Sequence, residues 1–358
     1  MPIVSFGLVT MKSVGGPEGT LDYFFYRQIF WIVIGLAVFF IFSALDWRIF
    51  ESNTFFLVAL WGIGVILLGV LLLSGIAVKG AQSWFRFSLF SIEPSEFVKL
   101  VLILILAKYF ARRHVEIALW RHIVVSFFWI SVPLSLVILQ PDIGSAAVFI
   151  FLWGGIVLFS GINLKQFLLL SVATILIGIS AWMMLLEPYQ KSRIISFLNP
   201  AFSRGGVGYH AAQSVIAVGS GGFWGKGVGY GTQSRLRFLP ESETDFIFAS
   251  FVEEWGFFGA LFLFVLWGVV FWRLFLAALL AEGNFAKLVV LGIIILLASH
   301  IIIHTAMNVG LLPITGISFP FMSYGGSFLI TLMAALGIVE SIIMRSSFLA
   351  ISRDHLEA

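Results

Sequence analysis

At 358 residues, 60% hydrophobic and 11% charged, the chain carries less than half of the roughly 25% charged residues of a soluble domain, which excludes water as its main solvent. The net charge of +3 comes from 21 basic and 18 acidic residues scattered among apolar segments, not from the basic run that marks a nucleic-acid partner. Cysteine is absent, which excludes disulfides, thiol catalysis and cysteine-based metal sites.

Apolar runs of about 20 residues, enough to cross roughly 30 Å of hydrocarbon, recur along the whole chain. The first, 3–14, is short for a span, and no basic region with a cleavage site marks it as a removable leader. Further spans are expected at 25–45, 54–74, 95–110, 122–139, 143–160, 167–186, 246–276, 288–307 and 328–344. The expectation is an all-α, polytopic membrane protein of about ten helices. Residues 1–358 form a single membrane domain, with one large extracytoplasmic loop, 187–245, between helices seven and eight.

Lys108, Arg112, Arg113 and Arg121 crowd one connector, which the positive-inside rule places in the cytoplasm. Counting crossings from there puts the connectors around Arg48, Lys165 and 273–287 inside, together with the C-terminal tail, and each carries Lys or Arg. Loops 75–94, 140–144, 187–245 and 310–327 fall outside, yet they carry Lys79, Arg86, Lys191, Arg193, Arg204, Lys226, Arg235 and Arg237. Long loops translocate regardless of charge. The alternative is an anionic ligand at the outer face, for which phosphate is the obvious candidate, since Lys and Arg bind it well and the outer leaflet offers lipid-linked diphosphates.

Within the long loop, SGGFWGKGVGYG at 220–231 lacks the G-x-x-x-x-G-K-[ST] spacing and the feeding strand of a P-loop. Its glycines suit a loop that turns with φ > 0 or lets backbone approach a bulky ligand. Ionisable residues in spans mark sites. Glu96 and Lys99 sit three apart on one helix face, where they can pair, and Pro94 suits the first helical turn. Asp142 in QPDIG is a candidate helix cap facing outward, and Asp245 in TDFIF suits a helix N-cap, a place that does not exclude a catalytic role. Glu253 and Glu254 lie about two turns beyond it, and one of them should meet Lys99 or an outer-loop Arg. His300 and His304, with Asn308 one turn on, can bind a metal, but no HExxH glutamate accompanies them, which favours helix–helix hydrogen bonds.

Taken together, KGAQSWFRF, IEPSEFVKL, QPDIG, QSVIAVGSGGFWGKGVGYGTQS, RFLPESETDFIFASFVEEWGFFG and GLLPITGISFPFMSYGGS resemble the SEDS family (shape, elongation, division and sporulation) of membrane-embedded peptidoglycan glycosyltransferases. FLNP at 197–200 and GTQSRLRFLPE at 231–241 look like the RodA elongation branch more than the FtsW division branch. The chain departs from the family pattern at Glu243, where a His is usual, at Gln82 and Ser83 before Trp84, and in its shorter first helix.

The resemblance implies polymerisation of lipid II, an undecaprenyl-diphosphate disaccharide-pentapeptide, into β-1,4-linked strands. Attack by a GlcNAc 4-hydroxyl on the α-linked anomeric carbon inverts that centre, which calls for a base but no covalent nucleophile. Asp245 occupies the position of the family's essential aspartate, as base or metal ligand. Lys99, Lys226 and Arg235 are candidate diphosphate contacts; Trp84 can stack on a sugar, and Glu96, Gln213 and Gln233 can hydrogen-bond it. Trp84, Glu96, Lys99 and Asp142 are expected to form the cavity wall opposite the loop. A divalent metal, Mg or Mn, can share the leaving-group charge. Implied partners are lipid II, the nascent glycan, a class B penicillin-binding protein and other elongation-complex membrane proteins, and the implied location is the bacterial cytoplasmic membrane with the site facing outward. A lipid II flippase and a non-catalytic scaffold are the competing classes.

Overall fold

Every expected span contains a helix. The computed structural model describes residues 2–14, 22–74, 83–86, 91–112, 120–184, 188–198 and 207–357. Lys79, Gly80, Ala81, Gln82, Arg113, Glu187, Asn199, Pro200 and Arg204, all singled out from the sequence, lie outside them. In chain order the helices are α1 (Pro2–Val14), α2 (Asp22–Ala44), α3 (Arg48–Ser52), α4 (Thr54–Ser74), α5 (Pro94–Ala111), α6 (Trp120–Leu139), α7 (Ile143–Phe159) and α8 (Leu164–Met184). They continue with α9 (Pro188–Leu198), α10 (Val207–Ser220), α11 (Thr232–Arg235), α12 (Ile247–Leu280), α13 (Gly283–Asn308) and α14 (Gly326–Glu357). A two-stranded antiparallel ribbon, β1 (Phe85–Arg86) with β2 (Ser91–Ile92), pairs Phe85 with Ile92 and Arg86 with Ser91.

Among the described residues six helices are long and apolar enough to cross a bilayer by themselves: Phe24–Ala44, Thr54–Leu73, Trp120–Leu139, Ile247–Leu280, Gly283–Asn308 and Gly326–Ser346. Twenty residues in α4 make about 30 Å at 1.5 Å per residue, the thickness of the hydrocarbon. Phe30, Phe40, Ile66, Leu73 and Phe128 stand exposed on such helices. So much outward-facing apolar surface suits a lipid solvent and would be a liability in water. The molecule is a multi-pass membrane protein. The long loop is not unstructured, since α9, α10 and α11 lie within it.

Two compact units divide the chain. The first comprises Met1–Val33, Met184–Val270 and Ala298–Leu329; the second comprises Ile34–Met183, Phe271–Leu297 and Ile330–Ala358. In the first, Ala217, Leu239, Phe246, Ala249 and Ile314 form a buried cluster with Ala211 and Val218 packed against it. α1 passes close to the chain at Met322, where a Cβ on Gly7 would stand 2.7 Å from the Met322 carbonyl oxygen.

In the second unit, Pro133 interrupts the hydrogen-bond ladder of α6. A proline has no N–H to give to the carbonyl four residues earlier, that of Trp129. Trp61 of α4 supplies the missing donor, its Nε1–H lying 3.1 Å from that oxygen, and the two indoles meet edge to face with centroids 5.2 Å apart. The C-terminal carbonyls of α2 are likewise satisfied from another helix: Arg345 of α14 donates to Ala44 O at 2.8 Å, and Ser341 donates to Leu45 O at 2.6 Å.

Candidate functional site

Asp245 stands just ahead of α12 and is half-buried. Its main chain is held by a side chain from α13. Asn308, fully buried, donates through Nδ2 to the Asp245 carbonyl at 3.0 Å and to the His304 carbonyl at 2.9 Å, while its Oδ1 accepts from Ala249 N at 3.1 Å. That last N–H is one of those a helix N-terminus leaves without an internal partner. Asn308 therefore caps α12 and fixes Asp245 with one amide. Ser214 of α10 donates to the Asn308 carbonyl at 2.8 Å, tying a third element to the same point.

The segment before α14 supports Asp245 from another side. Ser323 Oγ donates to Thr244 O at 2.8 Å, and Tyr324 N donates to Glu243 O at 2.9 Å. Gly316, at φ +75°, brings bare backbone next to the carboxylate: a Cβ there would lie 3.8 Å from Asp245 Oδ2. The two histidines act on this segment and not between helices as expected. Nδ1–H of His304 donates to Ile317 O at 2.6 Å, and Nδ1–H of His300 donates to Ser318 O at 3.2 Å.

The glycine-rich loop is organised by Glu253. Its carboxylate is fully buried. Oε1 accepts from Lys226 Nζ at 2.7 Å, Gln233 N at 2.9 Å and Thr232 Oγ1 at 3.2 Å; Oε2 accepts from Ser234 N at 3.2 Å and Ser234 Oγ at 3.1 Å. Glu254 accepts from Gly229 N at 3.0 Å. The expected partner, Lys99 or an outer-loop Arg, is thus replaced by Lys226. Main-chain bonds from Lys226 N to Glu253 O and from Gly227 N to Glu254 O, both 3.0 Å, and from Phe257 N to Gly222 O at 2.9 Å, lace the loop to a break in α12. The break is Gly256, at φ +68°, and a Cβ on it would clash with Gly225 N. Of the two uses expected for these glycines, the turns with φ > 0 are present at Gly222, Gly225, Gly227 and Gly229, and the close approach of backbone is to α12.

The other polar residues singled out in this unit divide by their partners. The ammonium of Lys226 is committed to Glu253 and, at 2.7 Å, to Thr232 Oγ1. Arg193 donates to Ile314 O at 3.2 Å. Exposed Arg235 donates to Gly229 O at 3.1 Å. Gln213 and Gln233 each have a buried side-chain carbonyl oxygen with no hydrogen-bond partner among the described residues.

In the second unit, Glu96 and Lys99 form the expected pair at 2.7 Å, both buried, and Glu96 Oε2 has no partner. Asp142 caps α7, accepting from Ser145 N at 2.9 Å. Trp84 is half-buried just before β1. Glu93, the residue before α5 and not among the candidates from sequence, accepts from Ser95 Oγ at 2.7 Å and Ser145 Oγ at 3.3 Å. Burial, then repulsion from Glu96 and Asp142, pushes its carboxyl up to about 8. An acidic residue beside a helix-starting proline was the available signal.

Among the described residues no group of three or more His, Asp or Glu side chains could hold a metal ion. A metal cage built by the described residues alone does not fit here.

The family model for cell cycle proteins of the FtsW, RodA and SpoVE group matches residues 2–347. The chain is 36% identical over 344 residues to peptidoglycan glycosyltransferase MrdB of Escherichia coli strain K12, covering 95% of this chain and 90% of the relative. It superposes with TM-score 0.80 and 27% identity on a chain from a peptidoglycan synthase complex whose structure addresses the coordination of polymerization and crosslinking, covering 96% of this chain and 95% of that one. The rod shape determining protein RodA of Thermus thermophilus matches with TM-score 0.69 and 26% identity, covering 96% of this chain and 93% of that one. This chain therefore belongs to the FtsW, RodA and SpoVE family.

Proposed function

We propose that this chain is a peptidoglycan glycosyltransferase of the RodA type, which extends glycan strands for cell elongation and shape. The likeness to the Escherichia coli glycosyltransferase along 95% of the chain carries the reading. The donor is the growing glycan on undecaprenyl diphosphate and the acceptor is lipid II. In the transfer the acceptor 4-hydroxyl oxygen forms a bond to the donor's anomeric carbon. The bond from that carbon to the diphosphate breaks with inversion, and the hydroxyl proton passes to a base.

Asp245 is the base in this scheme. A half-buried carboxylate whose main chain is pinned by Asn308, on a segment tied down by Ser323 and Tyr324, has the fixed position that proton transfer requires. The diphosphate is a weak base and leaves without a general acid; exposed Arg235 supplies positive charge for it, whereas the ammonium of Lys99, like that of Lys226, is committed to a glutamate. Lys226 contributes through Glu253, by holding the glycine-rich loop. Trp84, Glu96, Gln213 and Gln233 are assigned to sugar contacts, and Asp142 to substrate binding. The site faces outward from the bacterial cytoplasmic membrane, and the working partner is a class B penicillin-binding protein that crosslinks the new strand.

Reconstitution of the pure protein with lipid II, with and without the transpeptidase, tests this. Glycan polymer is expected. Movement of lipid II across the bilayer without polymer would replace the reading with a transporter, and neither activity would replace it with a scaffold.

A further inference from the structure

Lys108 is a buried cation with no ion-pair partner among the described residues. It sits in the last turn of α5 with 7% of its surface exposed, and its ammonium donates to Phe50 O at 3.4 Å. No carboxylate of a described residue forms an ion pair with it. Glu51 acts on it only from beyond ion-pair distance, and Arg112 repels it. A desolvated ammonium is costly unless a negative partner completes it.

A half-open groove of about 220 Å³ adjoins it, built by α4, α5 and α6 and lined by Leu57, Ile105, Tyr109 and Trp129 together with Lys108 and Arg112. The lining is thus apolar along most of its length and doubly cationic at one end. On the topology read from the charge distribution, that end lies at the cytoplasmic leaflet. Anionic headgroups there are drawn to basic residues at helix ends.

We propose that this groove binds one anionic phospholipid, with its phosphate between Lys108 and Arg112 and part of an acyl chain along Leu57, Ile105 and Trp129. The volume holds only part of a lipid, and the open side leaves the rest on the outer surface of the helices. The site is separate from the chemistry assigned to Asp245, and its test does not depend on glycan synthesis.

Native mass spectrometry of the full chain, released from nanodiscs of phosphatidylglycerol or phosphatidylcholine, reads the site directly. The wild type should retain one phosphatidylglycerol in preference to phosphatidylcholine. Arg112→Gln, at an exposed position, should weaken that retention about fivefold, the worth of one basic residue near an anionic surface. Lys108→Met should weaken it further if it folds; Arg112→Gln decides the matter if it does not. Arg48→Gln, at another exposed cytoplasmic arginine, should change nothing. Equal retention of the two phospholipids, an unaffected Arg112→Gln, or an equal loss in Arg48→Gln would each overturn the proposal. Displacement of phosphatidylglycerol by equimolar undecaprenyl phosphate would also overturn it, by assigning the groove to a polyprenyl ligand.

Discussion

Replacing Glu253 with Gln removes one negative charge and one acceptor atom from the point that joins the glycine-rich loop to α12. Two carboxylate oxygens serve five donors there: Lys226 Nζ, Thr232 Oγ1, Ser234 Oγ and the main-chain N–H groups of Gln233 and Ser234. A glutamine has a single acceptor oxygen. Its least costly orientation keeps that oxygen toward Lys226 and Gln233 N and turns NH₂ toward Ser234, whose hydroxyl can rotate but whose N–H cannot. One buried N–H is then orphaned, and the bonds that remain lose their ionic character. Lys226 is 25% exposed, so water offsets part of its loss. The sum is about 2–4 kcal/mol. Thermal unfolding of the detergent-solubilised protein, followed by tryptophan fluorescence, should rank Glu253→Gln clearly below wild type. A cycle with Lys226→Met should show coupling of about 1 kcal/mol or more. A midpoint shift no larger than that of exposed Glu241→Gln, or additive single effects, would refute the hub.

Other expectations follow from the same contacts. Asn308→Leu should release the Asp245 main chain and lower polymerisation about a hundredfold while the protein stays monodisperse; activity within a few-fold of wild type would remove Asn308 from the site. Trp61→Phe should destabilise by about 1–2 kcal/mol by orphaning the Trp129 carbonyl. Pro133→Ala should rescue it by restoring the helix bond to that oxygen, and failure of the rescue would show that Trp61 matters through packing alone. Glu93 is held protonated up to about pH 8, against an ordinary 4.5. The folded state therefore binds more protons than the unfolded one between these values, and its contribution to stability falls as pH rises from about 4.5 to 8. Glu93→Gln should flatten that slope in midpoint-against-pH measurements, and an unchanged slope would assign it elsewhere.

The spans were legible because a run of apolar residues the length of a bilayer needs no knowledge of its neighbours. The run at 54–74, for example, is α4 to the residue. The Glu96–Lys99 pair was legible for a similar reason, since three residues on a helix put both on one face. What could not be read joins parts of the chain far apart. Lys226 and Glu253 are 27 residues apart, and Asn308 reaches Asp245 across 63; no period links such positions. The histidine pair was read for its i, i+4 spacing, yet its partners are carbonyls of the segment before α14. The glycines of 220–231 signalled a close approach without saying to what. The need of Glu253 and Glu254 for neutralisation did point to a cation, but it could not single out Lys226 of the glycine-rich loop.

The most direct test of the account is polymerisation of purified lipid II by the Asp245→Asn protein. The substitution keeps the size of the side chain and leaves the Asn308 bond to the Asp245 main chain intact, so the protein should insert and unfold as the wild type does. It should make no glycan polymer, because no base remains to accept the hydroxyl proton. Polymerisation near the wild-type rate by a correctly inserted Asp245→Asn protein would contradict the central claim.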